Sequence, residues 1–267
     1  MLDLKQLTAE VCRIATDAGH FLKEERKNFR RERVEEKHAH DYVSYVDKES
    51  EVRVVKALSA LLPEAGFITE EGSATYQDEP YCWVIDPLDG TTNYIHDEAP
   101  YCVCIALRNR TELLLGVVYE VCRDECFYAW KDGKAFMNGE EIHVSTIQDA
   151  KDAFVITELP YNHLQYKQTA LHLIDKLYGV VGGIRMNGSA AAAICYVAIG
   201  RFDAWAEAFL GKWDYSAAAL IVQEAGGRVT NFYGEDNFME GHHIIATNGH
   251  LHPLFQKLLA EVPPLDM

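Results

Sequence analysis

The chain has 267 residues, of which 48% are hydrophobic and 25% are charged, and its formal net charge is −16. A chain of this size and composition can bury its own core, which excludes a disordered or low-complexity protein. No apolar stretch approaches the roughly 20 residues of a membrane span, and the charged N-terminus is unlike a secretory signal. The acidic charge disfavours binding to nucleic acids or anionic membranes, so a bound anion would need cations beside it.

The first half of the chain begins with helical patterns and continues with strand patterns. Apolar residues recur at intervals of three and four over residues 3–28 and 48–62, which predicts two amphipathic helices. The charged segment 23–40 is interpreted as a helix end and a loop. Short apolar or alternating runs then predict five strands, at 67–69, 81–86, 101–107, 113–121 and 125–130.

The second half alternates between strand and helix patterns. Strands are predicted at 153–157, 201–208 and 242–248, and helices at 163–178, 188–199, 213–225 and 250–261. These patterns favour layered α and β structure with two sheets. We place the boundary between the halves near residues 140–150, giving 1–145 and 146–267 within a single compact unit.

The seven cysteines indicate a reduced protein. Their number is odd and no C-x-x-C pair occurs, so neither a disulfide framework nor a zinc site is expected. This pattern is typical of a cytoplasmic protein with cysteines in its core.

The segment from Asp86 to Asn93, Asp-Pro-Leu-Asp-Gly-Thr-Thr-Asn, carries the strongest chemical signal. A hydrophobic strand delivers Asp86, Pro87 is expected to end that strand, and a turn brings Asp89 to the same side. Gly90 permits a tight bend, and Thr91 stands where a helix, and with it an anion site, would begin. Two carboxylates beside an anion site require a divalent cation between them, and Mg²⁺ suits oxygen ligands and phosphate.

Three further acidic positions adjoin predicted elements. Glu70 follows the strand at 67–69, Asp47 precedes the second helix, and Asp214 begins a later helix. In isolation, Asp47 and Asp214 could equally be helix N-caps. Their place near element ends makes them candidate partners of Asp86 and Asp89.

Four motifs resemble those of the inositol monophosphatase family of magnesium-dependent, lithium-sensitive phosphatases. They are Asp-x-Val-Ser-x-x-Asp at 41–47, Glu-Glu at 70–71, Trp-Val-Ile-Asp-Pro-Leu-Asp-Gly-Thr-Thr-Asn at 83–93, and Trp-Asp at 213–214. The resemblance covers essentially the whole chain. It implies an α/β fold, a five-layered αβαβα sandwich of the inositol monophosphatase and fructose-1,6-bisphosphatase type, and a homodimer.

The resemblance also implies a site with two to three Mg²⁺ ions. Glu70, Asp86 and the Leu88 carbonyl would hold the first ion, and Asp86, Asp89 and Asp214 the second. Glu70 and waters would hold a third, weaker ion, with Lys37 in the loop over it. Catalytic roles would fall to Glu70, and to Thr91 and Asp47, which would orient the attacking water. The residues implied to bind substrate are Asp89, Gly90, Thr91, Gly188, Ser189, Ala190, Glu207 and Asp214.

The substrate is less closely constrained than the chemistry. Asp203, Trp205 and Glu207 share one face of their predicted strand, so Glu207 could accept hydrogen bonds from two adjacent hydroxyls near Asp214. The small residues 188–190 could instead serve close helix packing. Gly211 replaces a histidine found in the animal enzymes, which bears on substrate identity and not on the reaction class.

The leading hypothesis is a Mg²⁺-dependent phosphomonoesterase that hydrolyses inositol 1-phosphate or a related polyol phosphate with a metal-activated water. Its rivals are a 3′(2′),5′-bisphosphate nucleotidase and a fructose-1,6-bisphosphate or histidinol-phosphate phosphatase of the same superfamily. A different class is a catalytically silent, regulatory relative. The expected partner is a small phosphate ester, with no nucleic acid and no membrane.

Overall fold

The computed structural model describes residues 2–30, 32, 34–38, 41–159 and 164–262. The α-helices of these residues are α1 (Leu4–Lys27), α2 (Tyr45–Leu61), α3 (Thr91–His96), α4 (Lys167–Leu177), α5 (Ala190–Ala198), α6 (Lys212–Glu224) and α7 (His252–Ala260). The strands of the first half are β1 (Val34–His38), β2 (Asp41–Ser44), β3 (Ala65–Thr69), β4 (Tyr81–Asp89), β5 (Cys102–Arg108), β6 (Leu113–Glu120), β7 (Glu125–Trp130), β8 (Ala135–Met137) and β9 (Glu140–Ile142). The strands of the second half are β10 (Phe154–Thr157), β11 (Gly183–Arg185), β12 (Ala204–Ala208), β13 (Arg228–Thr230) and β14 (His243–Thr247).

The first large sheet has seven strands in the order of the chain, from β3 to β9. Its first two strands are parallel and the other pairs are antiparallel. Helices α1 and α2 cover one face with an apolar stripe that includes Val11, Leu22 and Leu58, all fully buried. The three-and-four spacing of these residues explains why the helices lie on the sheet.

The second large sheet has five strands in the order β11-β10-β12-β14-β13. Strands β11, β10 and β12 run parallel, so their carboxyl ends meet at one edge. Helices α4 and α7 pack on the outer face through a separate apolar cluster. Helices α5 and α6 fill the space between the two sheets.

The order of layers is therefore helix, seven-stranded sheet, helix, five-stranded sheet, helix. This confirms the predicted five-layered αβαβα sandwich. Close packing in the middle explains the alanines of α5 and α6: a Cβ on Gly116 of β6 would lie 2.4 Å from the Ala217 carbonyl oxygen. All residues of α5 are buried, so the alternative of small residues for helix packing is also correct there.

Two local predictions were wrong. Strand β1 lies inside the segment 23–40 interpreted as a helix end and a loop, and it pairs antiparallel with β2; the charged residues of β1 hid its strand pattern. Pro87 does not end β4, which continues to Asp89. The Lys37 side chain and residues 160–163 lie outside what the structure describes. The division of the chain at residue 145 stays a prediction. Within the described ranges, no helix combines the length and apolar character needed to span a membrane.

Candidate active site

A cleft of about 580 Å³ lies where strand ends of both large sheets meet the N-terminal ends of α3, α5 and α6. The residues that line it are Glu70, Asp89, Gly90, Thr91, Thr92, Asn93, Glu98, Ala99, Glu158, Leu159, Met186, Asn187, Gly188, Ser189, Ala190, Glu207, Phe209, Leu210 and Asp214. Nine of the predicted site residues are among them. The other three, Asp47, Asp86 and Leu88, are buried and do not line it. Among the described residues the lining contains six carboxylates and no lysine, arginine or histidine.

A β-bulge in β4 brings the two aspartates of the central motif together. Asp86 pairs with Cys104 of β5 and Asp89 pairs with Cys102, so three residues of β4 span two residues of β5. In a regular strand, side chains three residues apart point to opposite faces, and the extra residue removes this alternation. Sequence reasoning placed both carboxylates on one side, but ascribed this to a turn after Pro87.

Asp86 lies in a crowded group of carboxyls. Its side chain is 1% exposed, and this burial is the main cause that raises its pKa well above the usual range. Repulsion from Glu70, Asp89 and Asp214 raises the pKa further. A hydrogen bond between the Asp86 and Glu70 carboxyls adds to this effect, since such a bond needs a proton. Among the described residues, no three side chains of metal-ligating type converge on one position.

The N-terminal end of α5 binds Asp89. Both Ser189 Oγ and the Ala191 backbone N–H donate to Asp89 Oδ2, the latter at 2.9 Å. Burial raises the pKa of Asp89 to about 6, although these hydrogen bonds oppose the rise. Asp89 thus links the seven-stranded sheet to the central helix layer.

Thr91 and Asp47 are in contact, as the family resemblance implied. Thr91 Oγ1 lies 3.0 Å from Asp47 Oδ1 and 3.0 Å from the Leu88 carbonyl oxygen. A hydroxyl has one proton, so Thr91 donates to one of these acceptors at a time. Asp47 is fully buried, and this burial raises its pKa despite hydrogen bonds from Ser44 N at 2.9 Å and Ser44 Oγ at 2.6 Å.

Both aspartates that could be helix caps do act at helix starts. Asp47 is the third residue of α2 and forms a capping box with Ser44, which is the N-cap. Asp214, the third residue of α6, accepts a hydrogen bond of 2.7 Å from the Gly211 N–H. A capping contact therefore exists for each, whatever further role it has.

The loop between β11 and α5 forms one wall of the cleft. Gly188 has φ +73°, and a Cβ there would lie 2.9 Å from Asn93 Oδ1. Asn93 Nδ2 donates to the Asn187 carbonyl at 2.7 Å and to the Pro100 carbonyl at 2.8 Å. This amide joins the loop of the second half to the motif of the first.

Two buried glutamates were missed by the sequence analysis. Glu158 follows β10 and lines the cleft, where burial is the main cause that raises its pKa to about 7. Glu51 of α2 is fully buried and accepts hydrogen bonds of 2.8 Å from Glu71 N and Ser73 N, which fixes the loop after Glu70. Only Glu158 had a usable signal: it follows a predicted strand directly, as Glu70 does.

Comparison with known proteins agrees with this architecture. The model of the inositol monophosphatase family matches residues 3–263. The chain is 39% identical over 236 residues to the Nus factor SuhB of Pseudomonas aeruginosa, covering 86% of each chain. It is 34% identical over 229 residues to an inositol-1-monophosphatase of Rhizobium meliloti, covering 84% of this chain and 85% of the other.

The fold is also that of a solved relative. The crystal structure of the extragenic suppressor protein suhB from Bartonella henselae superposes with a TM-score of 0.89 at 34% identity. The match covers 96% of this chain and 98% of that one. The chain therefore belongs to the inositol monophosphatase family, and this membership implies phosphatase activity.

Proposed function

We propose that the protein is a Mg²⁺-dependent phosphomonoesterase that hydrolyses inositol 1-phosphate or a related polyol phosphate. The observation that supports this most directly is the cleft itself, with six carboxylates and no basic side chain among its described lining residues. A phosphate ester cannot enter such a cleft without cations between it and the carboxylates.

The donor set fits Mg²⁺. Glu70, Asp86, Asp89 and Asp214 supply carboxylate oxygens, and their mutual repulsion at Asp86 is what a divalent cation would remove. We assign Glu70, Asp86 and the Leu88 carbonyl to a first ion and Asp86, Asp89 and Asp214 to a second, with Glu70 contributing to a third. Bound there, Mg²⁺ would lower the pKa of a water and neutralise charge on the phosphoryl oxygens.

Thr91 and Asp47 would handle the proton of the attacking water. When Thr91 Oγ1 donates to Asp47 Oδ1, its lone pairs are free to accept a hydrogen bond from that water. The raised pKa of Asp47 favours accepting a proton through Thr91. The N–H groups of Gly90 and Thr91 would orient the phosphate.

The part of the cleft lined by the second half of the chain would bind the alcohol group of the substrate. Gly188, Ser189 and Ala190 form a wall with little side-chain bulk, and Glu207 lines the cleft as an acceptor for hydroxyls. A bisphosphate needs a basic group for its second phosphate, and the described lining has none. These features favour a polyol phosphate over an adenosine bisphosphate.

The relatives named Nus factor raise a second candidate, a role that does not depend on hydrolysis. The net charge of −16 disfavours direct contact with a nucleic-acid backbone, so we rank this candidate second. The cytoplasmic location and the homodimer remain part of the proposal. All seven cysteines are free, as a reducing compartment requires.

The direct test is phosphate release by the purified protein from inositol 1-phosphate, adenosine 3′,5′-bisphosphate, fructose 1,6-bisphosphate and histidinol phosphate. Activity should vanish with a chelator, return with Mg²⁺ and fall with millimolar Li⁺. Full activity in excess chelator would contradict the metal assignment. No activity on any ester, despite Mg²⁺, would favour the regulatory relative.

A further inference from the structure

Glu158 and Glu207 lie side by side at the edge of the five-stranded sheet. Strands β10 and β12 are parallel, and Thr157 pairs with Ala206, so the next residue of each strand is a glutamate. Both side chains line the cleft, and both are more than nine-tenths buried. Repulsion from Glu158 is the largest effect of any charge on Glu207.

The two carboxylates differ in their partners. Glu158 Oε1 accepts a hydrogen bond of 3.0 Å from Asn187 N, and its two oxygens lie 3.3 and 3.4 Å from Gly188 N. Glu207 is 8% exposed and accepts no hydrogen bond from the part of the chain that the structure describes. The Glu207 carboxylate lines the cleft, so its hydrogen-bond donors must come from water or from a ligand bound there.

We infer that Glu158 is a second specificity-determining residue, which accepts a hydrogen bond from a substrate hydroxyl next to the one bound by Glu207. This rests on the proposed polyol-phosphate function. Each carboxylate oxygen has about two acceptor positions, so the backbone bonds of Glu158 leave capacity for a ligand. Two neighbouring carboxylates suit the adjacent hydroxyls of a polyol better than a ligand with a single donor.

The alternative is that Glu158 acts only by positioning the loop at 187–188. That loop leads to Ser189, which donates to the proposed metal ligand Asp89, so loosening it would affect every phosphate ester. A direct contact affects only esters that carry the hydroxyl. The ratio of kcat/KM between two substrates therefore separates these roles.

The experiment compares wild type, Glu158→Gln, Glu207→Gln and the double variant on inositol 1-phosphate and p-nitrophenyl phosphate. Each single variant should lower kcat/KM for inositol 1-phosphate by about 10- to 100-fold, the range for a hydrogen bond to a charged group. Activity on p-nitrophenyl phosphate, which has no hydroxyls, should change by less than about twofold. Glu158→Asp keeps the charge but withdraws the carboxylate from the N–H groups of Asn187 and Gly188 as well, so it should slow both substrates.

Monodeoxy inositol 1-phosphates identify the hydroxyl. Removing the hydroxyl that Glu158 binds should lower kcat/KM of the wild type by the same factor and cause no further loss in Glu158→Gln. In Glu207→Gln, the hydroxyl whose removal causes no further loss should be a different one. Asn93→Ala is the control for the loop, because Asn93 binds Asn187 from the other side, and it should slow both substrates alike.

Equal losses on both substrates for Glu158→Gln would overturn the inference and leave a positioning role. A wild-type protein that hydrolyses neither substrate with Mg²⁺ would instead refute the proposed function.

Discussion

The two ends of β12 carry acidic residues in opposite situations. Asp203, before the strand, accepts a hydrogen bond of 2.6 Å from Phe154 N and another from Ser145 Oγ. Glu207, at the other end, has no such donor in the described chain. Both are less than a tenth exposed, so burial alone does not separate them. The carboxylate of Asp203 is held by two donors of the fold, whereas the carboxylate of Glu207 lines the cleft.

A related contrast separates Asp86, which lies behind the cleft, from a carboxylate remote from it. Away from the cleft, Glu120 accepts hydrogen bonds of 3.0 and 2.9 Å from the N–H groups of Cys122 and Arg123. Asp86 accepts one backbone hydrogen bond, of 2.9 Å from Leu88 N, and is otherwise opposed by the charges of neighbouring carboxyls. Local repulsion is therefore concentrated where cations are proposed to bind, as expected of a functional site.

The strongest test of this contrast is Asp86→Asn. We expect kcat to fall by roughly four orders of magnitude, because Asp86 is assigned to two ions. The metal-free variant should unfold at the same or a higher urea concentration than wild type, because a source of repulsion is gone. Phosphate release and urea unfolding measure the two effects, and an active Asp86→Asn enzyme would refute the metal assignment.

The next effect concerns Thr91 and Asp47. Thr91→Ala and Asp47→Asn should each lower kcat by about 10²- to 10⁴-fold with little change in KM, the range for general-base assistance. The double variant should be only slightly worse than either single variant, because the two residues act as a unit. If the two losses multiply in steady-state kinetics, Asp47 is a helix cap and no more.

A smaller effect is expected when the acidic residues at the two ends of β12 are each replaced by their amides. Asp203→Asn should lower the free energy of unfolding by about 1–3 kcal/mol, because one buried donor loses its partner. Its kcat/KM should stay within about twofold of wild type. Glu207→Gln should show the reverse, with intact stability in urea and a selective loss on inositol 1-phosphate. Loss of stability in both variants would remove the distinction between the two ends.

The smallest effect is a pH dependence. The pKa of Glu158 is raised to about 7 in the fold, so its stabilising contribution is complete below its ordinary value of about 4.5 and is lost as pH rises through about 7. Without metal, Glu158→Gln should therefore gain stability relative to wild type over that window. His252, whose pKa burial lowers to about 4, has the opposite sign: its contribution is present above about 6.5 and lost as pH falls. Because His252 is common to both proteins, the difference between their urea curves reports Glu158 together with its repulsion of Glu207.

Local patterns predicted most of the architecture. The spacing of Leu7, Val11 and Leu22 gave α1 to within a residue or two, and continuous apolar runs gave the buried strands of both sheets. Family resemblance supplied the layer order, which no local pattern contains. The pairing of β1 and β2 was missed because β1 is rich in charged residues and β2 is only four residues long, so neither shows an apolar alternation.

The candidate site was predictable where its residues lie close together in the sequence. Asp86, Asp89 and Thr91 belong to one motif; the residues predicted that both carboxylates lie on one side, and the resemblance implied the pairing of Thr91 with Asp47. Glu158 directly follows a predicted strand, but its pairing with Glu207 could not be predicted, because Glu207 is 49 residues away and adjacent only through the parallel pairing of β10 and β12. Such pairings arise from tertiary structure and leave no local signal.

The burial of α5 has a further consequence for motion. A nine-residue helix with no exposed residue should exchange its amide hydrogens with solvent only through openings close to global unfolding. One of those amides, Ala191 N–H, donates to Asp89. The cleft therefore has one immobile wall, so that substrate entry and product release must rely on movements of the loops facing it.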